Sequence, residues 1–185
     1  MIEERFHNAV EIITKNDRGG YTVPTSKLYP HHQWNWDSAF TALGISTYNK
    51  TRAWQELILL IKAQWKNGMI PHIIFHKNDP NYFPGPNHWQ IKSNANTSCH
   101  SQPPVLASII WDMVKNGNNY DLKKGKSLFY SLMAYHEWFF SARDPNNEGF
   151  ISIIHPWESG RDNCPDWDLG LHNVNVPDNF GDYVR

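Results

Sequence analysis

Apolar residues recur at helical spacing along much of the chain, separated by stretches with no period. In residues 3–16, Phe6, Val10 and Ile13 keep near-helical spacing, and Gly19-Gly20 stops any continuation. Residues 21–36 read as an ordered loop with extended pieces, punctuated by Pro24 and Pro30. Asp37 is then placed to cap a helix running to about Tyr48. The clearest stripe follows: Trp54, Leu57, Ile58, Ile61 and Trp65 fall at i, i+3, i+4, i+7 and i+11, with Thr51 as N-cap and Asn67-Gly68 as stop. Residues 69–101 hold four prolines and little period, which predicts a long loop. Pro103-Pro104 open a further helix carrying Val105, Leu106, Ile109, Ile110, Met113 and Val114, ended by Asn116-Gly117. A last strong helix runs from about Lys126 to Ala142 on Leu128, Leu132, Tyr135 and Phe139, closed by Asp144-Pro145. No segment reads as a strand ladder, so the pattern predicts an all-α chain with long loops between its helices.

Composition narrows the classes of partner. The 185 residues suffice for one domain with a sizeable core. With 17 Lys and Arg against 18 Asp and Glu, the net charge of −1 leaves no basic excess, which argues against a nucleic-acid partner. Aromatics make up 14% of the chain, with nine Trp, eight Tyr and nine Phe, enough to fill a core or to wall a pocket for a flat, partly apolar ligand. Cys99 and Cys164 lie outside any CxxC pattern, so neither a structural zinc site nor a disulfide scaffold is expected. The N-terminus has acids where a signal peptide wants bases, and no run approaches the ~18 apolar residues of a membrane span. The expectation is a soluble cytoplasmic protein with no membrane partner.

The loop "HPWESGRDNCPDWD" (155–168) gathers acids and indoles among helix breakers. Glu158, Asp162, Asp166, Asp168 and, further on, Asp178 lie close together in sequence. Cleaving a glycosidic bond takes one carboxylic acid to protonate the departing oxygen and a second carboxylate to activate water or attack. Glu158 and Asp162 both qualify for the first role; Gly160 lets the backbone turn between them, and Arg161 can pair with either acid or with an anionic ligand. The alternative is an acidic loop making caps and salt links, and residue chemistry alone does not choose.

Other segments carry similar pairs of readings. In "YPHHQWNWDSAF" (29–40), Trp34 and Trp36 share a side if extended, ready to stack on a sugar ring while Asp37 bonds hydroxyls; equally, they pack between helices. "YFPGPNHW" (82–89) is a stiff turn that walls a pocket or is an ordinary surface turn. Gln102 offers donor and acceptor at a helix start, for a hydroxyl or for a cap. His72 and His76 lack the glutamate of a zincin, and Pro71, Ile73 and Ile74 favour an extended backbone that holds the rings about 13 Å apart. "DNCPDWD" does not fit a calcium loop, so no metal is expected.

Five segments in order, "GYTVPTSKLYPHHQWNWDSAF", "GMIPHIIF", "YFPGP", "SQPP" and "HPWESGRDNCPDWD", resemble the glycoside hydrolases of family 63, most closely the bacterial mannosylglycerate and glucosylglycerate hydrolases. The resemblance implies an (α/α)6 toroid that hydrolyses an α-glycosidic bond with inversion, without a cofactor, on a small carbohydrate. It implies that Asp162 is the general acid. Trp34, Trp36 and Asp37 match a sugar-pocket segment, and Tyr82 and Gln102 line the acceptor side. Glu158 shapes the site or contacts hydroxyls, and with Trp157 it is expected to raise the pKa of Asp162. Arg161 is the candidate for an anionic glycerate. Cys164 stands where the family commonly has serine, which predicts tuning of activity. The family's general base is a glutamate far toward the C-terminus, and nothing after Asp168 fits it. Residues 1–185 are therefore expected to be the N-terminal portion of one toroid domain, inactive alone and prone to self-association through exposed apolar faces. Trehalase or α-glucosidase activity, or a sugar-binding remnant without catalysis, are the alternatives.

Overall fold

In a computed structural model, residues 2–89, 91 and 95–174 are described. Asp178 lies outside them.

The chain opens with α1 (Ile2–Asn16), followed by β1 (His32–Trp34), α2 (Asn35–Ser46) and α3 (Lys50–Lys62). After β2 (Ile73–Phe75) and the short α4 (Pro86–Trp89) come α5 (Leu106–Lys115) and the long α6 (Asn119–Arg143). The acidic loop holds two 3-10 turns, Pro156–Ser159 and Pro165–Trp167, and ends in the single turn α7 (Asp168–Leu171).

Helices α2 and α3 form a hairpin whose close approach is permitted by Ala39, Ala42 and Ala53, all fully buried. Trp54, Leu57 and Leu60 of α3 fill the centre of the core, and Leu106, Ile110, Leu132, Tyr135 and Phe139 close it from α5 and α6. At Gly125 a Cβ would collide with Val114, so only glycine lets α6 lie this close to α5. α1 buries no residue fully and touches the core through Ile13.

Several boundaries differ from the sequence reading. Asp37 does not cap α2. The N-cap residue is Trp34, and Asp37 sits in the first turn. The start is set from outside: Asn35 N–H donates to His72 O at 3.0 Å, and Trp36 N–H donates to Gln102 Oε1 at 3.1 Å. Asn49, not Thr51, caps α3, its side chain accepting from Arg52 N–H at 3.0 Å. That helix ends before Trp65, whose indole instead donates to Thr97 Oγ1 at 3.0 Å. Pro103-Pro104 precede α5, because a proline holds the residue before it extended. α6 starts at Asn119, roughly two turns before Lys126, on a reciprocal capping box. Asn118 accepts from Tyr120 N–H, and Asp121 accepts from Asn118 N–H, each at 2.8 Å. A small sheet is present after all: β1 and β2 pair antiparallel with Gln33 opposite Ile74. Three-residue strands are too short to show an alternating pattern in sequence.

The outer face of α5 and α6 is apolar and open, with Trp111 65% and Tyr130 84% exposed. None of the described helices is long and apolar enough to cross a membrane.

Candidate functional site

A cleft of about 390 Å³ opens where β1, the start of α2, the 82–83 turn and the acidic loop meet. A larger groove of about 490 Å³ lies between α5 and α6, but no carboxylate lines it. The smaller cleft is where aromatic walls and carboxylates converge, and that is the arrangement with chemistry to offer.

Each wall has a local cause. Trp34 ends β1, its ring centroid 4.9 Å from Tyr29 and 6.0 Å from the edge-on ring of Tyr82. Two residues on, Trp36 stands in the first turn of α2 and faces the acidic loop. Gly160 there adopts φ 69°, ψ 8°, and a Cβ on it would collide with the Trp36 indole. Glycine is thus required twice over, for the left-handed turn and for the contact. Tyr82 and Phe83 come from the proline-rich turn, which is stapled down when Trp89 Nε1–H donates to Pro84 O at 3.1 Å. Trp157 forms the far wall and stacks on His72 at 5.6 Å. The Gln102 side-chain oxygen is engaged by the Trp36 amide, and among the described residues its side-chain N–H₂ is the half of the amide still to be used.

Among the described residues, Asp37 and Asp162 are the two carboxylates in this lining. Burial raises the pKa of Asp37, and the charge of Asp162 adds to the rise. As a residue Asp162 is exposed, yet protein atoms crowd its carboxyl, and this loss of solvent raises its pKa too. Tyr82 is pushed upward by burial, by Tyr29 and by the same Asp162 charge. Asp37 and Tyr82 thus both feel the Asp162 charge across the cleft.

Glu158 does not lie in the cleft and does not act on Asp162. It turns inward, 7% exposed, where Arg143 Nη2 donates to it at 2.6 Å and Nε at 3.0 Å. Ile154 N–H adds a bond at 3.2 Å. Burial works to raise its pKa, but the Arg143 bonds, the Ile154 amide and the Arg143 charge together leave it below the usual range. Four residues apart, one acid is a buried clamp and the other faces the cleft. Arg161 pairs with neither: its guanidinium reaches Asp166 at 3.1 Å and Cys164 Sγ at 2.8 Å, in solvent. The anionic ligand expected for Arg161 would have to displace these partners.

Sequence reasoning did not single out Tyr29 or His72 as cleft residues, yet both line it. His72 heads a ladder of imidazoles, 4.8 Å from His100, which is 4.8 Å from His155. Burial, and then the neighbouring imidazoles, hold His72 well below its ordinary pKa, and His100 is brought down to about 4 in the same way. The wall is therefore neutral at pH 7. His76, considered with His72 as a metal pair, goes elsewhere: it bonds Gln33 Oε1 at 2.9 Å and stacks on Tyr21. Only the "YPHHQW" context points to Tyr29, and no sequence signal marks a histidine ladder assembled from residues 72, 100 and 155.

The profile of the mannosylglycerate hydrolase MGH1-like glycoside hydrolase domain matches residues 29–182. The chain belongs to this family. Its relatives include mannosylglycerate hydrolase MGH1 of Selaginella moellendorffii, 45% identical over 95% of this chain and 36% of that protein. The mannosylglycerate hydrolase of Thermus thermophilus is also 45% identical, over 96% of this chain and 43% of its own length. A crystal structure of the family 63 mannosylglycerate hydrolase from Thermus thermophilus, in complex with Tris and D-glycerate, superposes with a TM-score of 0.86 at 44% identity. That match takes in 92% of this chain and 42% of the other. The helices described above are accordingly part of a family 63 helical toroid, and the chain spans well under half the length of these relatives.

Proposed function

We propose that the cleft is one side of the active site of an inverting α-glycoside hydrolase, with Asp162 as general acid. The observation that carries the reading is the meeting of two carboxyls of raised pKa, Asp37 and Asp162, inside an aromatic enclosure. A general acid must hold its proton at the working pH, and crowding of the Asp162 carboxyl moves its pKa in that direction. In the forward step Asp162 gives its proton to the glycosidic oxygen as the C–O bond breaks. A water attacks the anomeric carbon from the opposite face and loses its proton to a second carboxylate, about 6.5–9.5 Å from the first. Asp37 is assigned to the sugar hydroxyls, since its place among Trp34, Trp36 and Gln102 suits a bonding partner on a stacked ring. The base is assigned to a carboxylate in the portion of the toroid that the relatives have and this chain does not span.

The substrate proposed is a small α-glycoside such as mannosylglycerate or glucosylglycerate, in line with the names of the relatives, among them the glucosylglycerate hydrolase of Mycolicibacterium hassiacum at 37% identity. A second reading follows from the span of the match: a chain with one side of the site binds sugar without turning it over. A panel of mannosylglycerate, glucosylglycerate and trehalose, assayed for both binding and hydrolysis, separates the two. Asp162→Asn in a protein carrying the whole toroid should abolish hydrolysis and keep binding. Turnover retained by that variant removes Asp162 from the acid's role.

A further inference from the structure

Beyond the cleft, the fully buried carboxylate of Glu56 belongs to none of the roles assigned so far. It projects from the middle of α3, 0% exposed, beside Leu57 in a helix whose other inward residues are apolar. An apolar residue of similar volume at such a place commonly leaves stability unchanged or improves it, so a buried charge calls for another reason.

The partners of Glu56 supply one. Its Oε1 accepts from Ser38 Oγ at 2.7 Å, from Gln33 Nε2 at 3.1 Å, and from both the backbone N–H and the hydroxyl of Thr22 at 3.1 Å. Its Oε2 accepts from Arg52 Nη2 at 2.9 Å, and Arg52 is held in turn by Asp17. Gln33 and Ser38 bracket residues 34–37, the segment that carries Trp34, Trp36 and Asp37. Thr22 fixes the chain two residues before Pro24, another residue of the cleft. Gln33 is itself locked, since its Nε2 also donates to Ser38 Oγ at 3.1 Å while its Oε1 meets His76 Nε2 at 2.9 Å. One oxygen thus ties both ends of the sugar-facing segment, and the loop beside it, to a single point on α3.

We propose that Glu56 is a positioning residue: through Gln33, Ser38 and Thr22 it sets where Trp34, Trp36 and Asp37 stand in the cleft, without touching the sugar. The binding consequence rests on the sugar-site reading above; the geometric consequence does not. In Glu56→Gln one oxygen is kept, but an N–H₂ faces either the Arg52 guanidinium or the Ser38 and Gln33 donors, so the bracket cannot close as before. Ser38→Ala removes a single donor and no charge.

The test uses the 185-residue chain, its assigned indole N–H resonances, its thermal unfolding, and titration with mannosylglycerate. Glu56→Gln is expected to keep its helical circular dichroism and one cooperative transition. It should move the Trp34 and Trp36 indole resonances, leave those of Trp111 and Trp138 in place, and weaken sugar binding by about tenfold, the scale of one or two mis-set hydroxyl contacts. Ser38→Ala should give the same pattern at smaller amplitude, and it decides the matter if Glu56→Gln does not fold. Unmoved Trp34 and Trp36 resonances in a folded variant, or shifts spread evenly over all nine indoles, overturn the proposal. If the unsubstituted chain binds no mannosylglycerate, the reading of this chain as a sugar binder on its own fails, while the indole pattern still judges Glu56.

Discussion

The two sides of the cleft are built in different ways. The segment bearing Trp34, Trp36 and Asp37 is pinned by strand pairing, by the Gln102 side chain on Trp36 N–H, and by the buried Glu56. The acidic loop has no comparable core beneath it. Around Asp162 it is exposed, and its inward anchor is Glu158, bound to Arg143, Ile154 and Ser101. The platform holds its position through many modest bonds; the loop is held by one strong ion-pair clamp, by the stacking of His155 and Trp157 on the histidine ladder, and by one glycine. Damage to the loop should therefore be concentrated at Glu158 and Gly160, and damage to the platform, its Glu56 hub apart, spread over several residues.

The largest effect is expected from Glu158→Ala. It leaves Arg143 buried and uncompensated, at a cost of about 3–5 kcal/mol by chemical denaturation. Glu158→Gln, which keeps some of the bonds, should cost less. Equal losses from the two variants would mean that the charge is not what holds the loop.

Gly160→Ala comes next. A residue with a Cβ at φ 69° is strained, and here the methyl meets Trp36 as well, so a loss of about 1–3 kcal/mol is expected together with weakened sugar binding. Calorimetry with mannosylglycerate separates the two parts. Stability lost with affinity intact would show that Trp36 is not a contact.

The imidazole ladder joins the two sides and makes the site sensitive to acid. His32, His72, His76, His100 and His155 all have folded pKa values lowered, mainly by burial, with His76 and His100 at about 4. A depressed histidine binds its proton in the unfolded chain first. Stability is thus flat above the unfolded pKa of about 6.5 and falls as pH drops from there toward 4. Asp37, Glu56 and Asp162, raised by burial, act in the opposite sense and offset part of the loss near the bottom of that window. Urea midpoints measured between pH 7.5 and 5 should decline, and His100→Gln should flatten the slope. A midpoint that rises on acidification would contradict the neutral wall.

The smallest effect on stability belongs to a surface remote from both sides of the cleft. Trp111→Glu, on the open α5–α6 face, should change stability by no more than about 0.5 kcal/mol, because nothing in the described structure covers it. We propose that this face mediates self-association, so sedimentation should show less of it in Trp111→Glu than in the unsubstituted chain. A large loss of stability would place Trp111 in the core instead.

The long amphipathic helices are legible in the sequence because their stripes are long: the Trp54–Leu57–Ile61 series and the Leu128–Leu132–Tyr135 series both lie in the core. Their starts are less legible, because capping is decided by local competition, as where Asn49 takes the place expected of Thr51. The start of α2 is not legible at all, being set by Gln102 and His72 from distant parts of the chain. Within the site, most of the named residues converge on the cleft, since short motifs of indoles and acids mark themselves. The fates of Glu158 and Arg161 cannot be read from sequence, because each depends on a partner, Arg143 or Asp166, that spacing alone does not select. Residue chemistry likewise leaves Glu158 and Asp162 equal; burial separates them.

The proposed function requires that the small polar cleft, and not the larger apolar groove, receive the sugar. A mannosylglycerate titration followed on the assigned indole N–H resonances of the chain decides this. Trp34, Trp36 and Trp157 are expected to shift together with one affinity while Trp111 stays still, and Asp37→Ala is expected to abolish the shifts. Shifts confined to Trp111, or shifts at Trp34 and Trp36 that survive Asp37→Ala unchanged, would contradict the assignment of the cleft.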